Sequence, residues 1–413
     1  MRFNCQKASI LFILLTLTGC FSLPENHMPV FQRSVVIDSE DALKTVLAKA
    51  RVEKTNDPAL NNLQVLYVKG TPYEMGFQHG RLLKDEVRAC IYHVMRKIRF
   101  FATEEMLDEV YDLMAPYIPV EEKEEMRGLA HGAGIPLRLI HWFHAIPEAT
   151  EYKGRSQFTK KFKGTSCSNV AAFGKATEDG ELYQLRVLDW NKKLGIQKWP
   201  VIIVHQPETG YSSVSFSYAG FIGCVSGMNS KQIALGEMGY GSPPNETLEG
   251  TPFVFLFRKL LREASSLKVV KKTIEDAQRT CSYIFLASDG KVKEDRAILI
   301  VADRDAVQTF SENQLLTDYR NGETLPPMES IVYAGARKKE LIKSLSDYYG
   351  SLSVVTLKEV ARQASMKSNV QNVIFKPASL EAWVSNAADT GKSTISKACN
   401  QKWFYFDFGQ YRE

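Results

Sequence analysis

Apolar side chains before residue 115 recur at helical spacing. They return every three or four positions and so share one helix face, first at Leu82, Leu83, Val87, Ile91, Val94, Met95 and Ile98. A second such set contains Met106, Val110, Leu113 and Met114. It stops at Pro116, and a short strand is predicted ahead of both sets, at residues 63–68. This part of the chain is therefore predicted to be helical, after a polar leader that ends near residue 62.

The pattern changes near Cys167. Short apolar runs and alternation with a period of two dominate from there, which is typical of strands. Strands are predicted at residues 170–173, 182–188, 201–204, 214–218, 233–235, 284–287, 297–301 and 403–408. Amphipathic helices are predicted near residues 253–277 and 337–348. Helices followed by many strands, with further helices inserted, predict an α+β fold with stacked sheets and outer helices.

The amino terminus carries a targeting signal. A positively charged start precedes the apolar run at residues 10–15, which is too short to span a bilayer. The run leads to Leu-Thr-Gly-Cys, which resembles the bacterial lipobox, and we expect a signal peptide at residues 1–19 and lipidation of Cys20. Phe21 is not an acidic sorting residue, so in a Gram-negative envelope we expect the outer membrane. The alternative is an ordinary secretory signal that ends in cysteine.

Composition narrows the class of protein. The 413 residues are 44% hydrophobic and carry a formal net charge of +5, which allows a substantial core in one large or two modest domains. Acidic and basic residues are interspersed without a basic stripe, so nucleic-acid binding is not expected. Five cysteines follow the leader: Cys90, Cys167, Cys224, Cys281 and Cys399. An odd number outside the cytoplasm leaves at least one thiol unpaired.

Cys167 lies at the start of a predicted strand, where a cysteine usually packs as a small hydrophobe. A turn at Glu178-Asp179-Gly180 folds the chain back, and the next strand carries Arg186 and Asp189. A hairpin of these two strands brings both residues near Cys167. A nucleophilic thiol needs a base to remove its proton and a cation to stabilise the thiolate. The pattern therefore favours catalysis by Cys167 over packing.

The stretch G-T-S-C-S-N-V-A-A-F-G-K-A-T-E-D-G around Cys167, with R-V-L-D-W from Arg186, resembles a known family. It is similar to the penicillin acyltransferase-like branch of the N-terminal-nucleophile hydrolases, related more distantly to the choloylglycine hydrolases. The resemblance extends from about Leu63 onward through ordered short motifs, at residues 70–76 with Gly80, 126–130 with Gly132, 144–148, 219–223 and 227–229. It implies an αββα four-layer fold and no metal or organic cofactor.

The resemblance also implies that the protein cuts itself. In the family a pro-segment is removed directly before a cysteine, here between Ser166 and Cys167. Residues 63–166 then form a small helical subunit that stays associated with a catalytic subunit, residues 167–413. The new α-amino group has a pKa of about 7.7 to 8.0, so it can act as base for its own thiol at ambient pH.

The family pattern assigns roles to four residues. Cys167 is the nucleophile, Arg186 lies beside it, Asp189 holds the terminal amine, and Arg337 closes the site. Each of the three charged residues has a structural alternative. Arg186 fits a strand ion pair, Asp189 a turn-starting residue, and Arg337 a solvated charge at a helix start.

The oxyanion hole is where this chain departs from the pattern. Acyl transfer needs donors for a developing oxyanion, and relatives carry an asparagine where this chain has Glu237. An ionised carboxylate cannot donate a hydrogen bond. Either backbone N–H groups around Gly236 and Gly239 form the hole, or Glu237 has another role, such as binding a cationic substrate group.

Other motif residues are interpreted as structural. Gly70, Gly76 and Gly80 fit turns and close packing, because no phosphate-binding spacing follows a strand there. His144 and Glu148 fit a buried histidine and a helix-end carboxylate, with assistance in maturation as the alternative. A set of aromatic residues fits either an acyl pocket or the core: Trp190, Phe221 and Tyr240.

These observations predict a lipid-anchored, self-processing hydrolase or acyltransferase that cleaves a linear acyl-amide bond through a Cys167 acyl-enzyme. The expected partners are a small acyl-amide substrate, the membrane through Cys20, and the two cleaved subunits for each other. Fold-level analogy does not choose among substrates that share the bond. Two alternatives stay open: an ester-directed, phospholipase-like acyl hydrolase, and a catalytically weak envelope lipoprotein that binds an amide-containing ligand.

Overall fold

The computed structural model describes residues 37, 39–55, 57–152, 167–239, 245–317, 324–389 and 395–411. The predicted signal peptide, Cys20, Ser166 and Tyr240 lie outside these residues. The helices are α1 (Glu40–Ala48), α2 (Pro72–Leu82), α3 (Lys84–Ile98), α4 (Glu104–Met114), α5 (Val120–Ala133), α6 (Leu137–Glu151), α7 (Phe253–Glu263), α8 (Leu267–Asp276), α9 (Lys338–Asp347) and α10 (Val354–Ala364).

The larger sheet contains nine strands. Their spatial order is β1 (Arg51–Lys54), β2 (Gln64–Gly70), β5 (Pro200–Pro207), β6 (Ser213–Tyr218), β7 (Ser226–Asn229), β8 (Ile233–Gly239), β9 (Tyr283–Asp289), β10 (Ala297–Ala302) and β11 (Val307–Phe310). Only β2 and β5 pair in parallel within this sheet. Strand β2 precedes Cys167 in the chain, and it pairs with β5, which follows Cys167. The larger sheet therefore contains strands from both sides of Cys167.

The second sheet contains six antiparallel strands. Their order is β14 (Ile331–Gly335), β3 (Ser168–Ala172), β4 (Tyr183–Asp189), β15 (Asn369–Lys376), β16 (Glu381–Asn386) and β19 (Phe404–Asp407). Two small ribbons complete the strands of the described part: β12 (Leu316–Thr317) with β13 (Thr324–Leu325), and β17 (Ala388–Asp389) with β18 (Ile395–Ser396).

The two sheets pack face to face. Apolar side chains from both sheets form one buried cluster, in which Ile202 and Phe216 of the larger sheet meet Val373 and Phe375 of the smaller one. Helices α7 and α8 pack on the larger sheet, and α9 and α10 pack on the smaller one. The layers are therefore helix, sheet, sheet and helix, which confirms the predicted αββα fold class.

The glycine motifs before Cys167 are explained by helix packing. Helix α2 starts with a capping box in which Thr71 and Glu74 satisfy each other's backbone N–H groups, and Gly70 precedes it with a φ of 128°. Pairs of glycines four residues apart lie on the facing sides of two helices, Gly76 and Gly80 on α2 and Gly128 and Gly132 on α5. A Cβ atom at any of the four would overlap the other helix's backbone, so close packing is confirmed.

Some element boundaries differ from the sequence prediction. The predicted leader, residues 20–62, contains α1 and β1, and β1 pairs with β2 at the edge of the larger sheet. The predicted helix at residues 253–277 is two helices, because Ser266 caps the start of the second one. The division into subunits at Cys167 stays a prediction.

Two further features concern the cysteines and the length of the helices. Cys90, Cys167, Cys224, Cys281 and Cys399 are all buried free thiols. No helix among the described residues is long and apolar enough to cross a membrane.

Candidate active site

The hairpin of β3 and β4 builds one side of the site. Cys167 directly precedes β3, and Arg186 lies opposite Asn169 in the hairpin register. The carbonyl oxygen of Cys167 accepts a hydrogen bond from the N–H of Ala336 at 3.2 Å, which continues the pairing of β3 with β14. The Cys167 side chain lies beside Arg186 and Asp189, as the hairpin predicts.

The larger sheet supplies Glu237 from the opposite layer. The Arg186 guanidinium donates to the Glu237 carboxylate at 3.2 Å, and both side chains are buried, at 0% and 6% exposure. Gly236 permits this approach, because a Cβ there would meet Asn169 and Arg186 at less than 3 Å. Arg186 Nε and Nη1 have no hydrogen-bond partner among the described residues. The guanidinium therefore keeps unused donors close to Cys167.

Burial sets the protonation of the site. It raises the pKa of the Cys167 thiol to about 12, although the positive charge of Arg186 opposes the rise. Burial also raises the pKa of Glu237 to about 7, and Arg186 again acts in the opposite direction. The thiol is thus protonated at neutral pH, and a base is needed before Cys167 can act as a nucleophile.

Asp189 has a buried carboxylate oxygen that no described residue uses. Its Oδ2 accepts the backbone N–H of Met366 at 3.1 Å, whereas its buried Oδ1 has no partner among the described residues. Burial raises the pKa of this carboxyl to about 6, and the N–H of Met366 counteracts the rise. Asp189 is therefore mostly ionised at neutral pH and can accept a further hydrogen bond.

A pocket that opens to solvent contacts Cys167, and its empty space, with the solvent at its mouth included, is about 700 Å³. Its walls are mainly apolar and include Phe143, Ile146, Pro147, Leu188, Trp190, Ile196, Tyr218, Phe221, Val225 and Phe253. Glu151 and Glu237 are the charged side chains among the described residues that line it. Trp190 and Phe221 thus lie in the pocket wall, which suits an apolar group held next to the Cys167 sulfur.

The contribution of α6 to the pocket was not predicted from the sequence. This helix lines the pocket with Phe143, Ile146, Pro147, Thr150 and Glu151. These positions recur at spacings of three and four, so the sequence pattern could have predicted that they share one face of a helix. Five of the sixteen residues that line the pocket therefore come from the segment before Cys167.

Arg337 does not line this pocket. It precedes α9, and its guanidinium donates to the carbonyl oxygens of Gln363 at 2.9 Å and Ser365 at 3.3 Å. It also forms an ion pair with Glu340 at 2.7 Å. These contacts direct the side chain toward the end of α10, so the structure does not place Arg337 with Cys167.

The backbone of Gly236 is also unsuited to an oxyanion hole. Gly236 lies inside the larger sheet, in register with Ser226 on one side and Leu286 on the other. Its N–H and carbonyl groups therefore belong to the strand ladders. Gly239, at the end of β8, lines the pocket, so the choice between backbone donors there and a separate role for Glu237 stays open, although Glu237 does pair with Arg186.

No group of three His, Cys, Asp or Glu side chains in the described part of the chain is arranged to hold a metal ion. The site contains a thiol at Cys167, a guanidinium at Arg186 and three carboxyl groups, at Glu151, Asp189 and Glu237.

One protein-family model matches part of the chain. Residues 177–317 match the protein-family model described as acyl-coenzyme A:6-aminopenicillanic acid acyl-transferase. The match confirms the predicted family resemblance. The region similar to the acyl-transferase family contains Arg186, Asp189 and Glu237, and it begins after Cys167.

Curated relatives extend the similarity along the chain. Protein dcd1B of Dictyostelium discoideum is 24% identical over 355 residues, which cover 78% of this chain and 68% of that protein. Protein dcd1A of the same organism is 24% identical over 344 residues, covering 74% of this chain and 75% of that protein. An uncharacterized protein of Archaeoglobus fulgidus is 26% identical over 270 residues, which cover 60% of this chain and 45% of that protein.

Solved structures with partial similarity include an acid amidase ortholog and an acylase. The Caenorhabditis elegans N-acylethanolamine-hydrolyzing acid amidase ortholog superposes with a TM-score of 0.38 at 12% identity, over 51% of this chain and 93% of that chain. Penicillin V acylase from Agrobacterium tumefaciens gives a TM-score of 0.38 at 11% identity, over 59% of this chain and 86% of that chain. At such scores the fold assignment rests on the layers and sheets described above.

Proposed function

We propose that this protein is a self-processing amide hydrolase or acyltransferase whose mature nucleophile is an N-terminal Cys167. The observation that carries the proposal is the convergence of four groups at one apolar pocket. Cys167 contacts the pocket, Arg186 and Glu237 form a buried pair beside it, and Asp189 keeps a free acceptor oxygen. The similarity to an acyl-transferase family over residues 177–317 supports the same chemistry.

Maturation creates the missing base. The Cys167 thiol attacks the carbonyl carbon of Ser166, the peptide nitrogen takes up a proton and leaves, and water hydrolyses the resulting thioester. This shift frees the α-amino group of Cys167, whose pKa of about 7.7 to 8.0 suits a base at neutral pH. Before the cut the same nitrogen is an amide and cannot take the thiol proton.

Catalysis follows from the groups around the new amine. The α-amine takes the proton of the Cys167 thiol, the sulfur attacks the acyl carbon, and the departing amine leaves with that proton. Water, or a second amine, then releases the acyl group from sulfur. Asp189 Oδ1 accepts a hydrogen bond from the α-ammonium, and the Arg186 guanidinium stabilises the thiolate.

Association of the two cleaved chains is part of the proposal. Strand β2 pairs with β5 across the cut. The Glu148 carboxylate on α6 accepts hydrogen bonds from the N–H of Phe253, the hydroxyl of Thr280 and the hydroxyl of Tyr283, at 2.6–2.8 Å. Because α6 also forms one pocket wall, loss of the small subunit would open the acyl site.

The first test is intact mass and N-terminal sequencing of the purified protein. Wild type should yield two chains, the second of which begins at Cys167, whereas Cys167→Ala should yield one uncut chain. Cys281→Ala is a matched control, because it removes another buried thiol and should leave cleavage unchanged. One uncut wild-type chain would contradict self-processing.

A panel of acyl amides and acyl esters then tests the reaction. Turnover of amides supports the proposal, and turnover of esters alone would favour the phospholipase-like alternative. Ligand binding without turnover of either class would favour the binding lipoprotein.

The envelope location is proposed from the sequence alone. The motif that ends at Cys20 supports a lipid anchor, and the pocket-bearing domain would then lie outside the cytoplasm. Metabolic labelling with an alkyne fatty acid should mark wild type and Cys5→Ala, but not Cys20→Ala. Label retained in the Cys20 variant would contradict the anchor.

A further inference from the structure

A tight turn at residues 219–223 carries Phe221 into the pocket wall. Within the turn, the Phe221 N–H donates to the Tyr218 carbonyl at 3.0 Å, and its carbonyl accepts from the Ser217 hydroxyl at 2.8 Å. The two neighbouring N–H groups, of Gly220 and Ile222, point away from the turn and need acceptors elsewhere.

Both of these N–H groups donate to buried histidines from the segment before Cys167. Gly220 donates to Nε2 of His79 on α2, and Ile222 donates to Nε2 of His144 on α6, each at 3.0 Å. Two imidazoles from two helices thus hold the backbone on either side of Phe221.

The hydrogen bonds of His144 determine its tautomer. Its Nδ1 lies 2.8 Å from the Ile140 carbonyl oxygen, which can only accept, so Nδ1 carries the proton. Nε2 therefore has a free electron pair for the N–H of Ile222. Burial lowers the pKa of His144 to about 4, which keeps the ring neutral at neutral pH.

His144 also contacts the Phe221 ring itself. The two rings stack with centroids 5.0 Å apart and an interplanar angle of 5°. Phe143 meets the same Phe221 ring edge-on at 5.8 Å. The position of the ring is therefore set through both its backbone and its faces.

We propose that His144, supported by His79, is a positioning residue that holds Phe221 against the acyl group and so sets which acyl chains the pocket accepts. This proposal rests on the proposed function, because an acyl group is the expected occupant. According to this proposal, the segment before Cys167 still contributes to acyl-chain specificity after the chain has been cleaved at Cys167.

The test compares acyl chain lengths in matched variants. His144→Phe keeps an aromatic ring and removes the acceptor, so the rate constant kcat/KM for an octanoyl amide should fall about 10-fold or more, mainly through KM. An acetyl amide is too short to fill the pocket, and its kcat/KM should change less than about 2-fold. His144→Gln keeps an acceptor and should recover part of the octanoyl rate.

His141→Phe is the control on the same helix. Its ring stacks on Tyr111 at 3.9 Å, and it does not line the pocket. It should leave the ratio of octanoyl to acetyl rates unchanged. An equal fall for both amides in His144→Phe, with the ratio as in wild type, would overturn the proposal, because that result reports only loss of folded enzyme.

A second readout does not require turnover. Octyl and methyl methanethiosulfonates convert the Cys167 thiol to a mixed disulfide and release methanesulfinate, and peptide mass locates the label. His144→Phe should lower the ratio of octyl to methyl labelling rates at Cys167, and an unchanged ratio would overturn the proposal. If wild type is neither cut nor active, the proposed function fails while this ratio still tests His144.

Discussion

Two buried glutamates near the pocket have opposite surroundings. Glu148 is held by three neutral donors, the Phe253 N–H and two hydroxyl groups, and no cation in the described part of the chain hydrogen-bonds to it. Glu237 has one cationic partner, Arg186, whose remaining buried nitrogens lack partners among the described residues. Because the Glu148 carboxylate is fully hydrogen-bonded within the protein, its role is structural. Arg186 still has unused hydrogen-bond donors, so Arg186 and Glu237 can interact with a ligand.

The largest expected effect comes from breaking the ion pair. Arg186→Met leaves the Glu237 carboxylate buried without its cation, which should cost about 3–5 kcal/mol of the free energy of unfolding. It should also abolish turnover, because the thiolate loses its stabilising charge. Urea unfolding and an amide-hydrolysis assay measure the two effects.

The double variant Arg186→Met/Glu237→Leu separates these roles. Replacing both partners by apolar side chains should return most of the lost stability, yet activity should stay absent. A stable and active double variant would contradict a functional role for the pair.

The next effect is on the pH dependence of stability. The folded-state pKa of Glu237 is raised to about 7 from 4.5, so the folded protein binds more protons than the unfolded chain between these values. Its contribution to stability is therefore lost as the pH rises through that window, by about 3 kcal/mol in total. Glu237→Gln removes this loss, and its stability relative to wild type should rise by that amount from about pH 4.5 to about pH 8.

Glu340→Gln provides a control of opposite sign. Its hydrogen bond with Arg337 lowers the pKa of Glu340, so its contribution to stability is present above the unfolded pKa and is lost as the pH falls. Urea midpoints across the pH range distinguish the two. A constant difference between Glu237→Gln and wild type would show that Glu237 titrates as it does in the unfolded chain.

A smaller effect is expected at Glu148. Glu148→Gln retains one acceptor oxygen for three donors, so it should destabilise the protein by about 2 kcal/mol. Turnover per folded molecule should stay close to wild type, because Glu148 does not line the pocket. A Glu148→Gln variant that folds normally but neither cleaves itself before Cys167 nor hydrolyses amides would show that Glu148 takes part in the reaction.

Contacts within one hairpin could be predicted from the sequence, whereas contacts between the two sheets could not. Cys167, Arg186 and Asp189 belong to one hairpin, whose strands β3 and β4 are joined by residues 173–182, so the local pattern of apolar positions was enough to bring them together. The contact between Arg186 and Glu237 joins residues 51 positions apart in different sheets. It depends on how the sheets stack and on the space left by Gly236, which no local pattern encodes.

Strands β15 and β16 were not predicted, for a related reason, whereas β19 agrees with the strand predicted at residues 403–408. Strand β15 is buried along nearly its whole length, and it carries Asn369, Gln371 and Asn372 among its apolar residues. These amides hydrogen-bond to one another and to a neighbouring group inside the fold. A strand covered on both faces loses the alternation of polar and apolar positions that identifies a half-buried strand.

The smallest effect is expected at Arg337, which the family pattern placed in the site. Its side chain is 34% exposed and binds backbone carbonyl groups and Glu340. Arg337→Met should therefore cost less than about 1 kcal/mol, because solvent screens much of the ion pair. Cleavage at Cys167 and kcat/KM should stay within about 2-fold of wild type, since the guanidinium does not reach the pocket. A large loss of kcat/KM in a stably folded Arg337→Met would mean that this side chain turns toward the substrate during the reaction. Arg337 would then belong with Arg186 and Glu237, as a charged group that interacts with the ligand.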